Sequence, residues 1–548
     1  MAKSSPLEQA RQWWKERTDA ERYVVAPSEA PSAAVTRVLR EQGLVLDVAN
    51  KRAWILTPGT PADGRAIFLA NYWPVVALVL ERYAPAAIAG ISAVRMHLED
   101  FSPPEELPVY QGANQSEYRL ILHSGFRLRI RPRPLTTGQI TRLLAPGKTS
   151  LPTQSPVDIL STLDEADVAS GIEPLSAWLR HLIVRTPELE EAVTANPRPV
   201  ILRRLAALAG ELRNESLHRQ LDQLIRQISH RKTSPSRTGV GTRIEVPDGV
   251  RNAPRGTGSP WLDEQAMRLK RQEAEARAII GSEADSIPVY PWDALSANAE
   301  QNKAYDAYHS TTMEGYRITR EVSDAIVRGE PLPEGPQDQK TLEAAMAVKG
   351  YTVAYEGVLA RARRKAPIDT DLILDLYEAL YRPSVDVGIT DTAALRGWRT
   401  GPVQLHGWRY VPPNPKKIPD LIGGLERFAA RKDLDPVTRA MLVQLEFVTI
   451  HPFMDGNGRL GRLLMNEALL SAGLPWVTIR SDERLPFFRS IERAQVAADT
   501  KPFLEFVWHA IKLSIKDLPA RARRAGAHPA RARPPRGVAH RPKGKRHA

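Results

Sequence analysis

Apolar residues recur at helical spacing through most of the second half of the chain. After Asp435, Met441, Leu442, Leu445, Val448 and Thr449 share one helical face, which predicts a helix ending near Ile450. His451-Pro452 breaks the pattern. Leu460, Leu463, Leu464, Leu469 and Leu470 then resume it, and Gly473 supplies a C-terminal stop. Similar periodicity runs from Asn302 to about Leu518. One strand-like hairpin near 399–411 interrupts it, where Val403 and Leu405 alternate as strand residues do.

The first 230 residues mix both periods. Val35, Val38 and Leu39 predict a short helix closing at Gln42, and "GLVLDVANKRAWILTP" reads as two strands around a turn at Ala49-Asn50. Helix followed by β-wing is a winged-helix pattern. "YRLILHSGFRLRIRPRPL" alternates as strands do. Residues 175–228 read as helical, with Leu175, Trp178, Leu179, Leu182 and Ile183 at helical spacing. The apolar run Val75–Val94 is broken by Glu81, Arg82 and Pro85, so it predicts a buried helix and turn. The expected fold is multidomain: a mainly α domain with a β-hairpin, preceded by an α+β winged-helix-like region. Residues 1–230 form that first region and 231–262 a Ser/Gly/Pro/Thr-rich linker. A helical connector covers 263–301, the mainly α domain 302–518, and a basic tail 519–548.

Composition changes the picture in two places. The chain has 548 residues and a net charge of +13, yet ten of those charges sit in the acid-free segment 519–548. Such a tail has too little apolar surface to fold alone. It is expected as a solvated segment or a nonspecific anchor for DNA or acidic partners. There is no cysteine, which excludes disulfides and thiolate chemistry and fits a cytoplasmic protein. Met1 to Glu16 is polar, so no secretory leader and no membrane association are expected. No Walker lysine loop, GxGxxG or Cys/His metal cluster is found in the sequence.

The break between the two apolar helices reads "HPFMDGNGRLGR", residues 451–462. It is a loop leading into a helix N-terminus, where exposed N–H groups and the dipole favour anions. Gly456 and Gly458 permit turns that a Cβ forbids, so successive N–H groups can cradle phosphate oxygens. Asn457 adds an amide donor. Asp455 is a hard oxygen ligand suited to Mg²⁺ shared with a polyphosphate. Arg459 and Arg462, three apart, offer guanidinium forks. His451 is the group that titrates near neutrality and can take a proton from a hydroxyl.

This stretch matches the Fic family motif HxFx(D/E)GNGRxxR at every specified position, and the resemblance extends over roughly 302–515. Fic domains are helical and typically transfer AMP from ATP·Mg²⁺ to a hydroxyl side chain of a target protein. The resemblance implies His451 as general base, Asp455 as metal ligand, and Gly456 to Gly458 as anion hole. It implies Arg459 and Arg462 as phosphate ligands, Arg462 at the γ-phosphate. Related Doc kinases carry lysine in place of Gly458. Phosphocholine transfer and other nucleotides stay open.

Further stretches carry the resemblance. "GWRTGPVQLHGWRYVPP", 397–413, is similar to the Fic flap, whose Val403 and Leu405 would align a target by strand addition. His406 is read as a flap or turn residue. Phe487, Phe488 and Gln495 stand where the family often has Tyr and Asn near the base. "STTMEG", 310–315, resembles the inhibitory motif (S/T)xxxE(G/N), with Ser310 and Glu314 one helical turn apart. Glu314 would compete with ATP for Arg462, and in related proteins this glutamate also supports AMP removal. The N-terminal wing diffusely resembles AbiEi-type antitoxin regulators. The competing expectation is therefore a DNA-binding transcriptional regulator, or an antitoxin-like protein, whose Fic domain is silent. A target with a Ser, Thr or Tyr hydroxyl, and DNA held by the N-terminal region or tail, are the expected partners. Oligomeric state stays open.

Overall fold

Residues 33–56 fold as their periodicity predicts. The helix Ala33–Glu41 starts on Ser32, whose side chain accepts from the Val35 N–H. Strands β2 (Val45–Val48) and β3 (Ala53–Leu56) follow, joined by a turn in which Ala49, Asn50 and Lys51 all take positive φ. With β1 (Val24–Val25) they make a three-stranded antiparallel sheet in the order β1-β3-β2. The computed structural model describes residues 4–59, 63–112, 116–164, 167–168, 171–195, 198–231, 258–330, 338–395 and 397–518. Most of the linker expected at 231–262, and the basic tail at 519–548, lie outside these described residues.

A six-stranded mixed sheet completes the α+β part. Its strands are β4 (Ala86–Ile88), β5 (Glu106–Gln111), β6 (Tyr118–His123), β7 (Phe126–Pro132), β8 (Ile140–Ala145) and β9 (Thr149–Gln154), ordered β6-β7-β5-β4-β9-β8. The apolar run from Val75 enters the helix Tyr72–Glu81, which shares an apolar cluster with this sheet and sets Tyr72 edge-on to Phe126. Four helices between Ile172 and Arg231 form a separate apolar cluster. Ile183 departs from expectation. Its helix ends at His181, and Ile183 is 94% exposed while Leu175, Trp178, Leu179 and Leu182 are buried.

The rest of the described chain is helical. Helix Pro260–Ile280 bridges the N-terminal part and the helical domain. Its Asp263 meets His181 at 2.8 Å, Arg271 meets Glu173 at 2.6 Å, and Arg268 forks onto the buried Glu446 at 2.8 Å. The boundary expected at 302 falls inside one continuous helix, Trp292–Met313. Helices Gln339–Arg363 and Thr370–Asp386 cross so closely that a Cβ on Gly350 would stand 2.0 Å from the Leu380 carbonyl oxygen.

The hairpin expected at 399–411 does not form: among the described residues, 397–413 contains no strand. Pro402, Gly401 and Gly407 disfavour a ladder. Other elements hold the segment instead. Arg409 N–H donates to Glu492 and Val411 N–H to Ser102 Oγ. The Gln404 amide donates to the Leu69 carbonyl, and the Arg409 guanidinium to the Pro103 carbonyl. The N-terminal part thus fixes the flap segment.

Candidate active site

Helices Pro436–Ile450 and Asn457–Ser471 flank the 451–456 loop and carry much of the largest apolar cluster. They touch at Gly461, where a Cβ would lie 2.8 Å from Val448 Cγ1. His451 caps the first helix in the left-handed region, at φ 51°. A β-substituted residue there costs roughly 1–2 kcal/mol, strain held at the reactive position. Arg399 braces the turn: its Nε donates to the His451 carbonyl at 2.8 Å and its N–H to the Pro452 carbonyl at 2.9 Å.

His451 Nδ1 lies 3.2 Å from the Val448 carbonyl. That contact assigns the proton to Nδ1 and leaves Nε2 a bare acceptor. Burial, and then the Arg399 charge, push the imidazole down to about 4, although the Val448 carbonyl, Glu314 and Asp455 oppose this. The ring is therefore neutral at physiological pH.

Asp455 accepts from Tyr381 Oη at 2.5 Å and from Arg459 Nη2 at 3.3 Å. Burial raises its carboxyl, but the Arg459 charge and the tyrosine hydrogen bond outweigh burial and hold it below its ordinary value. Arg459 is fully buried, its guanidinium between the rings of Tyr316 and Tyr381. It does not line the central cavity, contrary to the expected phosphate fork. Asn457 also differs from expectation: its amide donates to the Phe453 carbonyl at 2.8 Å and accepts from the Phe453 N–H at 3.0 Å. Loop closure uses the groups foreseen for phosphate.

Arg462 is 3% exposed. Its Nε donates to Ser310 Oγ at 2.9 Å, and its Nη2 to the Ser310 carbonyl at 2.9 Å and to Glu314 Oε1 at 2.7 Å. Glu314 caps the helix Trp292–Met313. Its carboxylate occupies the space over Gly458, where a Cβ would stand 2.3 Å from Glu314 Oε1. Gly456, at φ 82°, has its corresponding position 2.9 Å from Tyr381 Oη.

A cavity of about 210 Å³ joins these groups. It brings together His451, Gly458, Arg462 and Glu314, and Leu405, Phe488 and Gln495 also line it. Phe487 reaches the cavity but is 1% exposed and packs on Phe503 and Phe506, so it is chiefly a core residue. Val403 lies instead on a larger cleft of about 900 Å³, between flap and N-terminal part, that holds none of the motif residues. His406 borders the central cavity as a flap residue. Sequence reasoning missed Tyr381, Tyr316, Arg399, Gln444 and Trp408. Each sits in an ordinary helical or loop context, and tertiary packing alone carries it to the site.

The Fic/DOC family model matches residues 367–469. Protein adenylyltransferase Fic of Drosophila erecta is 30% identical over 228 residues, 39% of this chain and 43% of the relative. The protein of that name from Nematostella vectensis is 28% identical over 246 residues, 44% and 55% of the two chains. The chain thus spans about half the length of the curated relatives it matches. A solved Fic domain-containing signaling protein from Bacteroides thetaiotaomicron shares 19% identity over 47% of this chain and 98% of its own, at a TM-score of 0.37. With every specified position of the motif occupied between its two helices, residues 367–469 of this chain form a Fic/DOC family domain.

Proposed function

We propose that this protein transfers AMP from ATP to a hydroxyl side chain of a target protein, and that Glu314 restrains the reaction. One observation carries the reading: a neutral His451, a helix N-terminus and the Arg462 guanidinium share one cavity, and Glu314 already holds that guanidinium.

The target hydroxyl oxygen attacks the α-phosphorus of ATP. Its proton passes to His451 Nε2, and the bond to the bridging β-phosphate oxygen breaks, releasing pyrophosphate. The first N–H groups of the helix Asn457–Ser471 lack intrahelical acceptors and face the developing negative charge. Among the described residues no cluster of three or more metal-ligating side chains occurs. A Mg²⁺ held through one carboxylate and substrate phosphates needs no such cluster, so Asp455 fits as its protein ligand. When bound, the ion offsets phosphate charge. Tyr381 and Arg459 keep the carboxylate ionised and oriented. Among the described residues, the backbone N–H groups of Val403, Gln404 and Leu405 make no hydrogen bond, which supports pairing of this segment with an extended target strand.

A charge-assisted hydrogen bond such as Glu314–Arg462 contributes about 1.5–3 kcal/mol, or roughly 10–150-fold in occupancy. Misplacing a bound α-phosphate costs about 100-fold more. With radiolabelled ATP and host lysate, Glu314→Gly is expected to label protein at least 10-fold faster than wild type. Glu314→Gly/His451→Ala is expected to label none. Equal labelling by wild type and Glu314→Gly would remove the restraint, and labelling by the double variant would remove His451 as base.

A further inference from the structure

Gln444 sits among apolar neighbours of the helix Pro436–Ile450, two turns before His451. Its side chain is 1% exposed and lines the central cavity. Its Oε1 is sealed from solvent without a hydrogen-bond partner, and its Nε2 makes no hydrogen bond among the described residues. A sealed amide oxygen without a partner is rare in native proteins, and the unsealed Nε2 beside it is a donor with nothing yet to bond. A second group in the cavity is in the same condition: Arg462 Nη1 is buried and unpartnered, although Nε and Nη2 are engaged. Gln444 Cγ would lie 3.7 Å from a Cβ on Gly461, the residue before Arg462, so both groups converge on the same turn of the motif helix.

We propose that Gln444 is a nucleotide-binding residue outside the signature motif, donating from Nε2 to an oxygen of the terminal phosphates of ATP beside Arg462 Nη1. This rests on the adenylyl-transfer reading above. A guanidinium donor next to an amide that can turn its nitrogen outward defines a site for an anionic oxygen. The same pair does not suit the carboxylate of Glu314, which sits on Nη2 and leaves Nη1 free. Gln444 therefore favours the triphosphate without strengthening the inhibitory contact. It is a contact that ATP makes and AMP lacks.

The test uses calorimetric titration of Mg·ATP and of AMP into Glu314→Gly, Glu314→Gly/Gln444→Leu and Glu314→Gly/Gln444→Glu, with thermal melts of each. Gln444→Leu is expected to weaken ATP about 10-fold or more, the loss of a hydrogen bond to a charged group, and to leave AMP unchanged. Gln444→Glu is expected to weaken ATP further by repelling phosphate. Melting temperature is expected to stay level or rise for Gln444→Leu, because an unsatisfied buried amide is gone. ATP affinity within about twofold of the parent, or equal losses for ATP and AMP, would overturn the proposal. A parent that binds no ATP at all would defeat the adenylyl-transfer reading itself, and this inference with it.

Discussion

His451 shows how one residue's neighbours set its chemistry. Its strained turn is fixed by Arg399, its proton is directed by the Val448 carbonyl, and burial keeps the ring neutral. A base depressed to about 4 is unprotonated over the whole physiological range. Glu314→Gly also removes a charge that raises this value, so its transfer rate is expected to rise through about pH 4 or below and to show no histidine inflection between pH 6 and 8. An inflection near 6.5 that vanishes in no other variant would mean a solvent-like imidazole. Stability follows the same shift. The folded value lies below the unfolded value of about 6.5, so the unfolded chain binds the extra proton first. The contribution is full above pH 6.5 and is lost as pH falls towards 4, which urea midpoints of wild type and His451→Gln would reveal. Identities at this scale were legible in the sequence; roles were less so. Asn457 and Arg459 belong to the motif, but Asn457 turns back onto Phe453 within the loop, and Arg459 holds Asp455 with partners, Tyr316 and Tyr381, that only the fold brings in.

At the scale of elements, the Trp292–Met313 helix acts as a clamp with two jaws. Ser310 takes Arg462 through its hydroxyl and its carbonyl, and the cap residue Glu314 takes the remaining Nη2 contact. The clamp is itself anchored, since Arg484 Nε donates to the Met313 carbonyl at 2.6 Å. Ser310→Ala removes one hydrogen bond from the Arg462 guanidinium to an uncharged hydroxyl, about 1.5 kcal/mol at the low end for a charged donor, so labelling is expected to rise up to about tenfold, no further than Glu314→Gly. A Ser310→Ala rate equal to wild type would show that Glu314 alone sets the restraint. The one-turn spacing of Ser310 and Glu314 was readable from sequence because a helix fixes it. The flap was not. Alternation at Val403 and Leu405 suggests a strand, but a strand needs a ladder partner, and here Glu492 and Ser102 take the N–H groups of Arg409 and Val411 while Leu69 holds the Gln404 side chain.

Across the whole molecule, the helix Pro260–Ile280 joins the N-terminal part to the helix that precedes the motif. Arg268 forks onto Glu446 at 2.8 and 3.1 Å, and Gln265 donates to the same carboxylate at 2.9 Å. Arg268→Met strands a buried carboxylate and is expected to cost about 3–5 kcal/mol, read from the urea midpoint. Arg268→Met/Glu446→Leu is expected to recover most of that loss; a double variant as unstable as the single would mean the helix contact, not the charge, was removed. The arginines of β6 and β7 are paired: Arg119 and Arg127 with Glu106, Arg129 with Glu117, Arg131 with Asp164. Such pairs leave little free charge for phosphate. By itself the sequence determined the helices around the motif, the glycine-rich loop between them and the pairing candidates Glu314 and Arg462. These depend on local periodicity and on the spacing of residues within one element. Tertiary structure decided which groups face the cavity, what holds the flap and that Gln444 stands there unpartnered. Those are contacts between residues far apart in the chain, and no local pattern encodes them.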